Sequence, residues 1–277
     1  MILVVTIGQK IAVGLVVGLL FWDLYNQAPV NTRSASTGAC NHSAPTANDT
    51  MAQSQPPAQR NAPEERNVVT LLFVSLLTVC LSGIVLIAPQ VAERTIMKIE
   101  TSEKLYSEAA HIITILVIDK LIVVIGNAFF LLIVFAMAAV PFDSVPALLF
   151  HFFMASFACE SVFAAIAAVA NNAQNAFTIS IPFVLLFMMF SGSLVPKNAM
   201  PNFLNWLLYV SPFFWALENS LSELFGDNPY SKAALESYPG YQLDFDSGIG
   251  TGVCLAYFII FRILQALALH FLNNIAH

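Results

Sequence analysis

The chain has 277 residues, of which 58% are hydrophobic and only 10% are charged, and its formal net charge is -6. Its mean hydropathy is +0.74. A soluble domain of this size with so few charges would expose large apolar patches, which soluble monomers avoid. Composition therefore excludes a soluble globular protein and indicates an integral membrane protein. The sequence contains no basic run of the kind that binds nucleic acid.

Six stretches are long and apolar enough to cross a bilayer. A spanning helix needs about 20 mostly apolar residues, because each residue advances about 1.5 Å across a hydrocarbon core about 30 Å thick. The stretches are residues 7–24, 68–88, 109–140, 145–169, 177–195 and 250–272. They are continuous apolar runs and not short alternating strands, which excludes a membrane barrel. The sequence predicts an all-α integral membrane fold with six transmembrane helices.

The segments that connect these helices differ in composition and in predicted location. Residues 25–67 are rich in Pro, Ala, Ser, Thr and Asn, which predicts a flexible external loop. Asn41 and Asn48 each begin an N-glycosylation sequon in that loop. Residues 92–108 alternate in charge and predict an amphipathic cytosolic helix, whereas residues 196–249 predict a long external loop before the last helix. If the loop with the two sequons is external, both termini are cytosolic. The predicted location is the plasma membrane or an endomembrane of a eukaryote.

Two further features bound the interpretation of the chain. The first apolar run begins almost at Met1 and has neither a compact basic region nor a clear cleavage site, so a retained helix is favoured over a signal peptide. Such a start suggests an isolated domain or a truncated gene model. The four cysteines show no CxxC spacing, so no metal site is predicted, and no catalytic residue is expected.

The third, fourth and sixth predicted membrane helices contain charged residues: Asp119, Lys120, Glu160 and Arg262. Each costs about 2.5–3.5 kcal/mol on insertion scales, so each requires a partner or a hydrated position. Asp119 and Lys120 are adjacent and point about 100° apart, so they cannot both face one partner. Either one of them meets Glu160 or Arg262 across the bundle, or Asp119 lies near the cytosolic end. A structural polar network is favoured over a proton relay.

Three stretches of the sequence resemble one family, the transmembrane domain of the G subfamily of ATP-binding-cassette exporters (the White and pleiotropic-drug-resistance group). The first is the helix ending Gly18–Trp22, and the second is Glu93-Arg94 with Glu100 and Leu105–Ser107. The third and most specific contains, in order, Phe190–Gly192, Pro201, Trp206, Tyr209, Ser211-Pro212 and Glu223–Phe225. The sequence departs from the family in lacking a proline soon after Asp119, in its long first external loop, and in lacking the usual cysteines of the third.

The resemblance implies a permease that performs no covalent chemistry. Two such subunits would face each other, as a homodimer or a heterodimer, with helices two and five lining a central cavity suited to a sterol, a lipid or an amphipathic drug. The implied cavity residues are Phe73, Thr78, Leu81, Leu185 and Met188, and the implied gate is Ser193 and Leu194. Residues implied to contact a nucleotide-binding domain are Glu93, Arg94, Lys98 and Glu100.

The sequence contains no G-x-x-x-x-G-K-[ST] motif, so the chain does not bind ATP in the P-loop manner. ATP and Mg²⁺ are expected on a nucleotide-binding domain that is fused upstream or separate, and the chain itself is not expected to be an enzyme. Two alternatives remain open. One is an ion-coupled secondary transporter that uses Asp119 and Glu160, although no internal repeat is evident. The other is a non-transporting scaffold or remnant.

Overall fold

The computed structural model describes residues 2–22, 24, 62–103, 108–195, 200–225 and 247–274. This part of the chain is helical and contains no strand, which confirms the predicted all-α fold. The described α-helices are α1 Ile2–Leu20, α2 Ala62–Val85, α3 Ile87–Ser102, α4 Glu108–Met137, α5 Val145–Val169, α6 Ala173–Met189, α7 Asn205–Val210, α8 Pro212–Phe225 and α9 Ser247–Asn274. A short 3-10 turn, Asn202–Leu204, precedes α7.

Three segments of the described chain are long and apolar enough to span a membrane: Asn67–Arg94, Val145–Val169 and Gly248–His270. Three shorter apolar helices, Thr6–Leu20, Val123–Met137 and Ala173–Met189, overlap the other predicted spans. The membrane class therefore agrees with the sequence, and the count of six spans remains a prediction. The two predicted glycosylation sites, Asn41 and Asn48, lie outside the described residues.

Helix α5 is the centre of the bundle. It packs against α2, α3, α4, α6, α8 and α9. In its most apolar window 72% of the residues are buried within the chain, against 17% in the corresponding window of α9. Its buried residues include the alanines at positions 155, 158, 164, 165, 167 and 168. Small side chains of this kind let neighbouring membrane helices approach closely.

Helices α1 and α4 form a second close pair. Gly14 of α1 lies against Phe130, where a Cβ would stand 3.3 Å from the ring. Gly18, one turn later, lies against the side chain of Met137. The outward side of α1 exposes Leu15, Leu19 and other apolar residues, as expected for a helix that faces lipid.

Helices α7 and α8 occupy part of the segment that the sequence predicts to be an external loop. All side chains of α8 except those of Ser222, Glu223 and Leu224 are buried, and the helix packs on α2, α5 and α9. Side chains form hydrogen bonds around the junction of α7 and α8, where the helical conformation is interrupted. Ser211 Oγ donates to the carbonyl of Phe187 at 3.0 Å, and Tyr257 OH donates to that of Val210. The mixed composition of the segment predicts a loop. The apolar face of α8 is evident only from its packing against α2, α5 and α9.

Gly83 of α2 lies in tight contact with α5. A Cβ at this position would lie 2.8 Å from Glu160 Cγ and 2.9 Å from Phe163 Cδ2. We expect Gly83→Ala to force the two helices apart and to destabilise the fold by about 1–3 kcal/mol. The measurement is the midpoint of thermal unfolding in lipid nanodiscs.

The matched control for this prediction is Gly252→Ala in α9, where an added Cβ meets nothing within 4 Å. Replacing glycine by alanine in an open helical position is favourable by up to about 1 kcal/mol. The two variants should therefore shift the unfolding temperature in opposite directions. Equal shifts would show that α2 and α5 are not in tight contact at Gly83.

Candidate functional site: the buried polar cluster and helix α3

An ion pair joins α4 to α5 inside the apolar bundle. Lys120 Nζ donates to Glu160 Oε2, and the two residues are 9% and 3% exposed. The second oxygen of the same carboxylate, Oε1, accepts a hydrogen bond from Ser156 Oγ at 2.7 Å. Of the partners that the sequence leaves open for Glu160, the structure places Lys120 beside it.

Aromatic rings enclose the cationic side of this pair. Lys120 Nζ lies 4.7 Å from the ring centroid of Phe157 and 5.5 Å from that of Phe258. The guanidinium of Arg262 lies 5.6 Å from the same Phe258 ring and donates to Gln265 Oε1 at 2.8 Å. A cation over an aromatic face gains electrostatic energy in a site that excludes water. Lys120 of α4 and Arg262 of α9 therefore both lie against the ring of Phe258.

Hydrogen bonds extend the ion pair to α2. Asn127 Nδ2 of α4 donates to Ser156 Oγ at 3.3 Å and to Ser82 Oγ at 3.3 Å. Ser82, Lys120, Asn127, Ser156 and Glu160 thus form one connected group, which we call the polar cluster. It ties together α2, α4 and α5.

A separate contact adds α1 to the same region. Lys10 Nζ donates to the backbone carbonyl of Thr78 at 3.2 Å and lies 5.8 Å from the ring of Phe130. Thr78 itself donates its hydroxyl to the carbonyl of Val74 at 2.9 Å. Lys10 therefore fixes α1 to α2 near the polar cluster.

The polar cluster joins three helices through hydrogen bonds and one ion pair. Both oxygens of Glu160 accept hydrogen bonds, and Lys120 donates to one of them. A buried charge pair with its remaining lone pairs satisfied is costly to break, since removing one partner leaves an uncompensated charge. Among the described residues no group of three or more His, Cys, Asp or Glu side chains is arranged to hold a metal ion. The side chain of Asp119 lies outside the described part of the chain.

Helix α3 overlaps the predicted cytosolic segment and presents two different sides. Arg94 and Met97 face inward: Met97 is 1% exposed and packs with Ala168 and Leu269. Glu93 and the apolar residue Ile96, which is 55% exposed, lie on the outer side. Glu100 is half-buried, and the side chain of Lys98 lies outside the described residues. The four predicted contact residues thus do not share one environment.

The predicted cavity residues are also distributed. Phe73 is buried in the core of the chain, and Met188 packs against that core. Thr78 and Leu81 are half-buried, whereas Leu185 is 49% exposed on α6. The two predicted gate residues follow α6, with Ser193 half-buried and Leu194 51% exposed. Leu185 and Leu194 are therefore the two predicted residues most open to a second molecule.

Reasoning from the sequence missed Ser82, Asn127, Ser156 and Lys10 as members or neighbours of the polar cluster. One signal was present: Ser156 precedes Glu160 by four residues, a spacing that places both on one face of a helix. Asn127 follows Lys120 by seven residues, which is again the same face. Single polar residues in apolar runs carry no other mark.

Comparison with known families decides what kind of bundle this is. A family model described as "ABC-2 type transporter" matches residues 1–225. The chain belongs to this family. The match runs from α1 to the end of α8, so it includes α3, the polar cluster and both predicted cavity helices.

Proteins that are similar to this ABC-2 domain carry names of the ABC transporter G family. "ABC transporter G family member 38" of Oryza sativa subsp. japonica is 25% identical over 222 residues, 74% of this chain and 14% of that protein. "ABC transporter G family member 2" of Dictyostelium discoideum is 25% identical over 202 residues, 70% of this chain and 15% of that protein. "ABC transporter G family member 32" of Arabidopsis thaliana is 25% identical over 222 residues, 75% and 16% respectively. The chain thus spans about a seventh of the length of these relatives.

The ion pair of this ABC-2 domain generates a prediction about stability. Lys120→Met and Glu160→Gln should each lower the free energy of unfolding by about 3–5 kcal/mol, because each leaves the other charge buried alone. The double variant should lose less than the sum of the two single losses, because it leaves no charge without a partner. Unfolding of the ABC-2 domain in mixed micelles, titrated with a denaturing detergent, measures all three.

Lys10→Met is the matched control, since it removes a cation that donates one hydrogen bond to a backbone carbonyl. Its expected loss is about 0.5–1.5 kcal/mol. If the losses for Lys120→Met and Glu160→Gln simply add in the double variant, the two side chains do not depend on each other in the ABC-2 domain.

Proposed function

We propose that this chain is the permease part of an ATP-driven exporter that moves a sterol, a lipid or an amphipathic xenobiotic across a membrane. The observation that carries the proposal is the match to the ABC-2 type transporter family over residues 1–225. The similarity to proteins named ABC transporter G family members supports the same class. The substrate class follows from the apolar character of the implied cavity.

The proposed driving partner is a nucleotide-binding domain that holds ATP and Mg²⁺, either fused to the chain or separate. Its proposed contact is the outer side of α3, where Glu93 is exposed and Ile96 and Ile99 are 55% and 58% exposed. Apolar side chains next to a carboxylate suit a protein surface better than lipid, since charge is costly in hydrocarbon. In this proposal Lys98 and Glu100 belong to the same contact.

The second proposed partner is another transmembrane half, identical or related, that faces α6. Only Ala176, Ser180 and Phe187 of this 17-residue helix are buried within the chain. Ile181, Leu185 and Met189 are 55%, 49% and 49% exposed. A central cavity between two copies of this face would include Leu185 and, from α2, Leu81.

The proposed orientation has both termini and α3 in the cytosol. The loop 25–67 would then be extracellular or lumenal, where Asn41 and Asn48 can be glycosylated. The membrane is the plasma membrane or an endomembrane. Glycosidase treatment of the protein, with Asn41→Gln and Asn48→Gln as controls, reports the side on which the loop lies.

The bonding of Glu160 in the polar cluster favours ATP-driven export over ion-coupled transport. An ion-coupled carrier needs a carboxylate that exchanges protons or binds cations during each cycle. Glu160 is held by Lys120 and Ser156, which favours a structural role. A non-transporting scaffold is the remaining alternative, and the transport assay below distinguishes all three.

The decisive experiment reconstitutes the chain with its nucleotide-binding domain in lipid vesicles and measures transport of a fluorescent sterol. Transport that requires ATP, stops with vanadate and persists with a protonophore would support the exporter. Transport that ignores vanadate and stops with the protonophore would support the ion-coupled carrier. ATP hydrolysis without transport, in a complex shown to be folded and dimeric, would support the scaffold.

The location of the cavity gives a further prediction. Leu185→Ala on α6 should raise KM for transport roughly tenfold, because it removes apolar contact area at about 0.8 kcal/mol per buried CH₂ group. Leu264→Ala on α9 is the matched control, since Leu264 and Leu185 are 48% and 49% exposed. The assay is the dependence of transport rate on sterol concentration. Equal KM values for the two variants would place the cavity elsewhere.

A further inference from the structure

The inward side of α3 carries a residue whose contacts differ from those of its neighbours. Within the described part of the chain, the hydrogen bonds of the Arg94 side chain all go to backbone carbonyls around the end of α5. Nη1 donates to the carbonyl of Ala168 at 2.7 Å and to that of Ala167 at 3.3 Å. Nη2 donates to the carbonyl of Asn171 at 3.5 Å. The side chain thus links α3 to the end of α5 and to the segment that follows it.

The chemistry of the helix end explains these contacts. The last four carbonyls of an α-helix have no partner within the helix, and the C-terminus carries partial negative charge. The N–H of Ala170 donates only to the carbonyl of Ile166. Arg94 supplies donors to the next two carbonyls, and the planar fork of a guanidinium suits several acceptors at once. Arg94 therefore completes the C-terminus of α5 with a side chain from α3.

The same guanidinium reaches the turn that starts α6. Asn171 immediately precedes Asn172, the N-cap of α6, whose side chain accepts from the N–H of Asn175 at 2.8 Å. Arg94 thus donates both to the end of α5 and to Asn171, which lies in the three-residue segment 170–172 that joins α5 to α6. The Asn171 carbonyl is two residues before the first residue of α6.

Packing around Arg94 fixes the side chain to its own helix. Gln90, Arg94 and Met97 lie on one face of α3 and line a small cleft, with room for roughly one water molecule, against α5 and α9. Met97 is buried against Ala168, one residue from the α5 terminus. Glu93, the adjacent residue, lies on the exposed side of α3. The inner face of α3 is therefore packed against α5, and the outer face is exposed.

We infer that Arg94 is the positioning residue that transmits movement of α3 to the turn between α5 and α6, and through it to the cavity helix. This inference rests on the proposed ATP-driven export. It assigns different roles to the outer and inner residues of α3. Glu93 and its exposed neighbours receive the nucleotide-binding domain, and Arg94 passes the displacement inward. Arg94 itself touches neither the nucleotide-binding domain nor the transported molecule.

The first test measures coupling in vesicles that contain the chain with its nucleotide-binding domain. Arg94→Gln should lower the number of fluorescent sterol molecules moved per ATP hydrolysed by about fivefold or more, the usual range of a lost coupling. Its ATP hydrolysis rate should stay within about twofold of wild type, because Arg94 lies away from the outer face. Arg94→Lys should recover part of the ratio, because it keeps the charge but not the fork.

Glu93→Gln is the matched control, one residue away on the exposed side. It should change ATP hydrolysis and transport together and leave their ratio near the wild-type value. An unchanged ratio in Arg94→Gln would overturn the inference. Wild-type protein that shows no ATP-dependent transport would instead overturn the proposed function, so the two failures are distinguishable.

The second test needs no Arg94 variant and so does not depend on whether that variant folds. Spin labels are attached at Ala88→Cys near the start of α3 and Val169→Cys at the end of α5, both exposed positions. In otherwise wild-type protein the distance between the labels should be the same with and without ATP and vanadate, because Arg94 holds the two segments together. A distance that changes between those states would overturn the inference.

Discussion

A charge inside a bilayer must be paired, and this constraint organises the bundle around α5. Glu160 accepts from Lys120 and Ser156, and Asn127 extends the same group of hydrogen bonds to Ser82. The cluster therefore sets the rotation of α4 and α2 about α5, since turning any of them exposes a charge or an amide to hydrocarbon. Apolar packing alone is tolerant of such rotation, because lipid tails compete equally for apolar side chains.

Irregular backbone in the described bundle is found where protein covers it. The break between α7 and α8 receives hydroxyl groups from Ser211 and Tyr257, and Trp215 Nε1 donates to the carbonyl of Tyr209 at 2.9 Å. Similarly, Arg94 covers the end of α5. Each case supplies a polar side chain where a helix stops, so that backbone groups without a partner in the helix find one. The helix ends are thus as much a part of the cohesion of the bundle as the helices themselves.

Composition and apolar run length predict the helical membrane class, because bilayer thickness leaves few alternatives. The rule that buried charges need partners also predicts that Asp119 or Lys120 meets Glu160 or Arg262, and Lys120 is the residue bonded to Glu160. Sequence reasoning fails where the outcome depends on packing. Residues 205–225 contain polar and aromatic residues in near-equal measure, so the sequence predicts a loop where the structure has the helices α7 and α8. Arg94 alternates with acidic residues along α3, and only the position of α5 shows that it points inward.

Helix length has a consequence for the surrounding lipid. Helix α6 has 17 residues, which gives it a length of about 25 Å. The hydrocarbon core is about 30 Å thick. A bilayer that α6 crosses, as the sequence predicts, would be compressed unless it is locally thin, at a cost of fractions of a kcal/mol per Å. Acyl chains of different length would then strain the bilayer around this helix differently, so membrane thickness would be a physical variable that acts on the exposed face of α6.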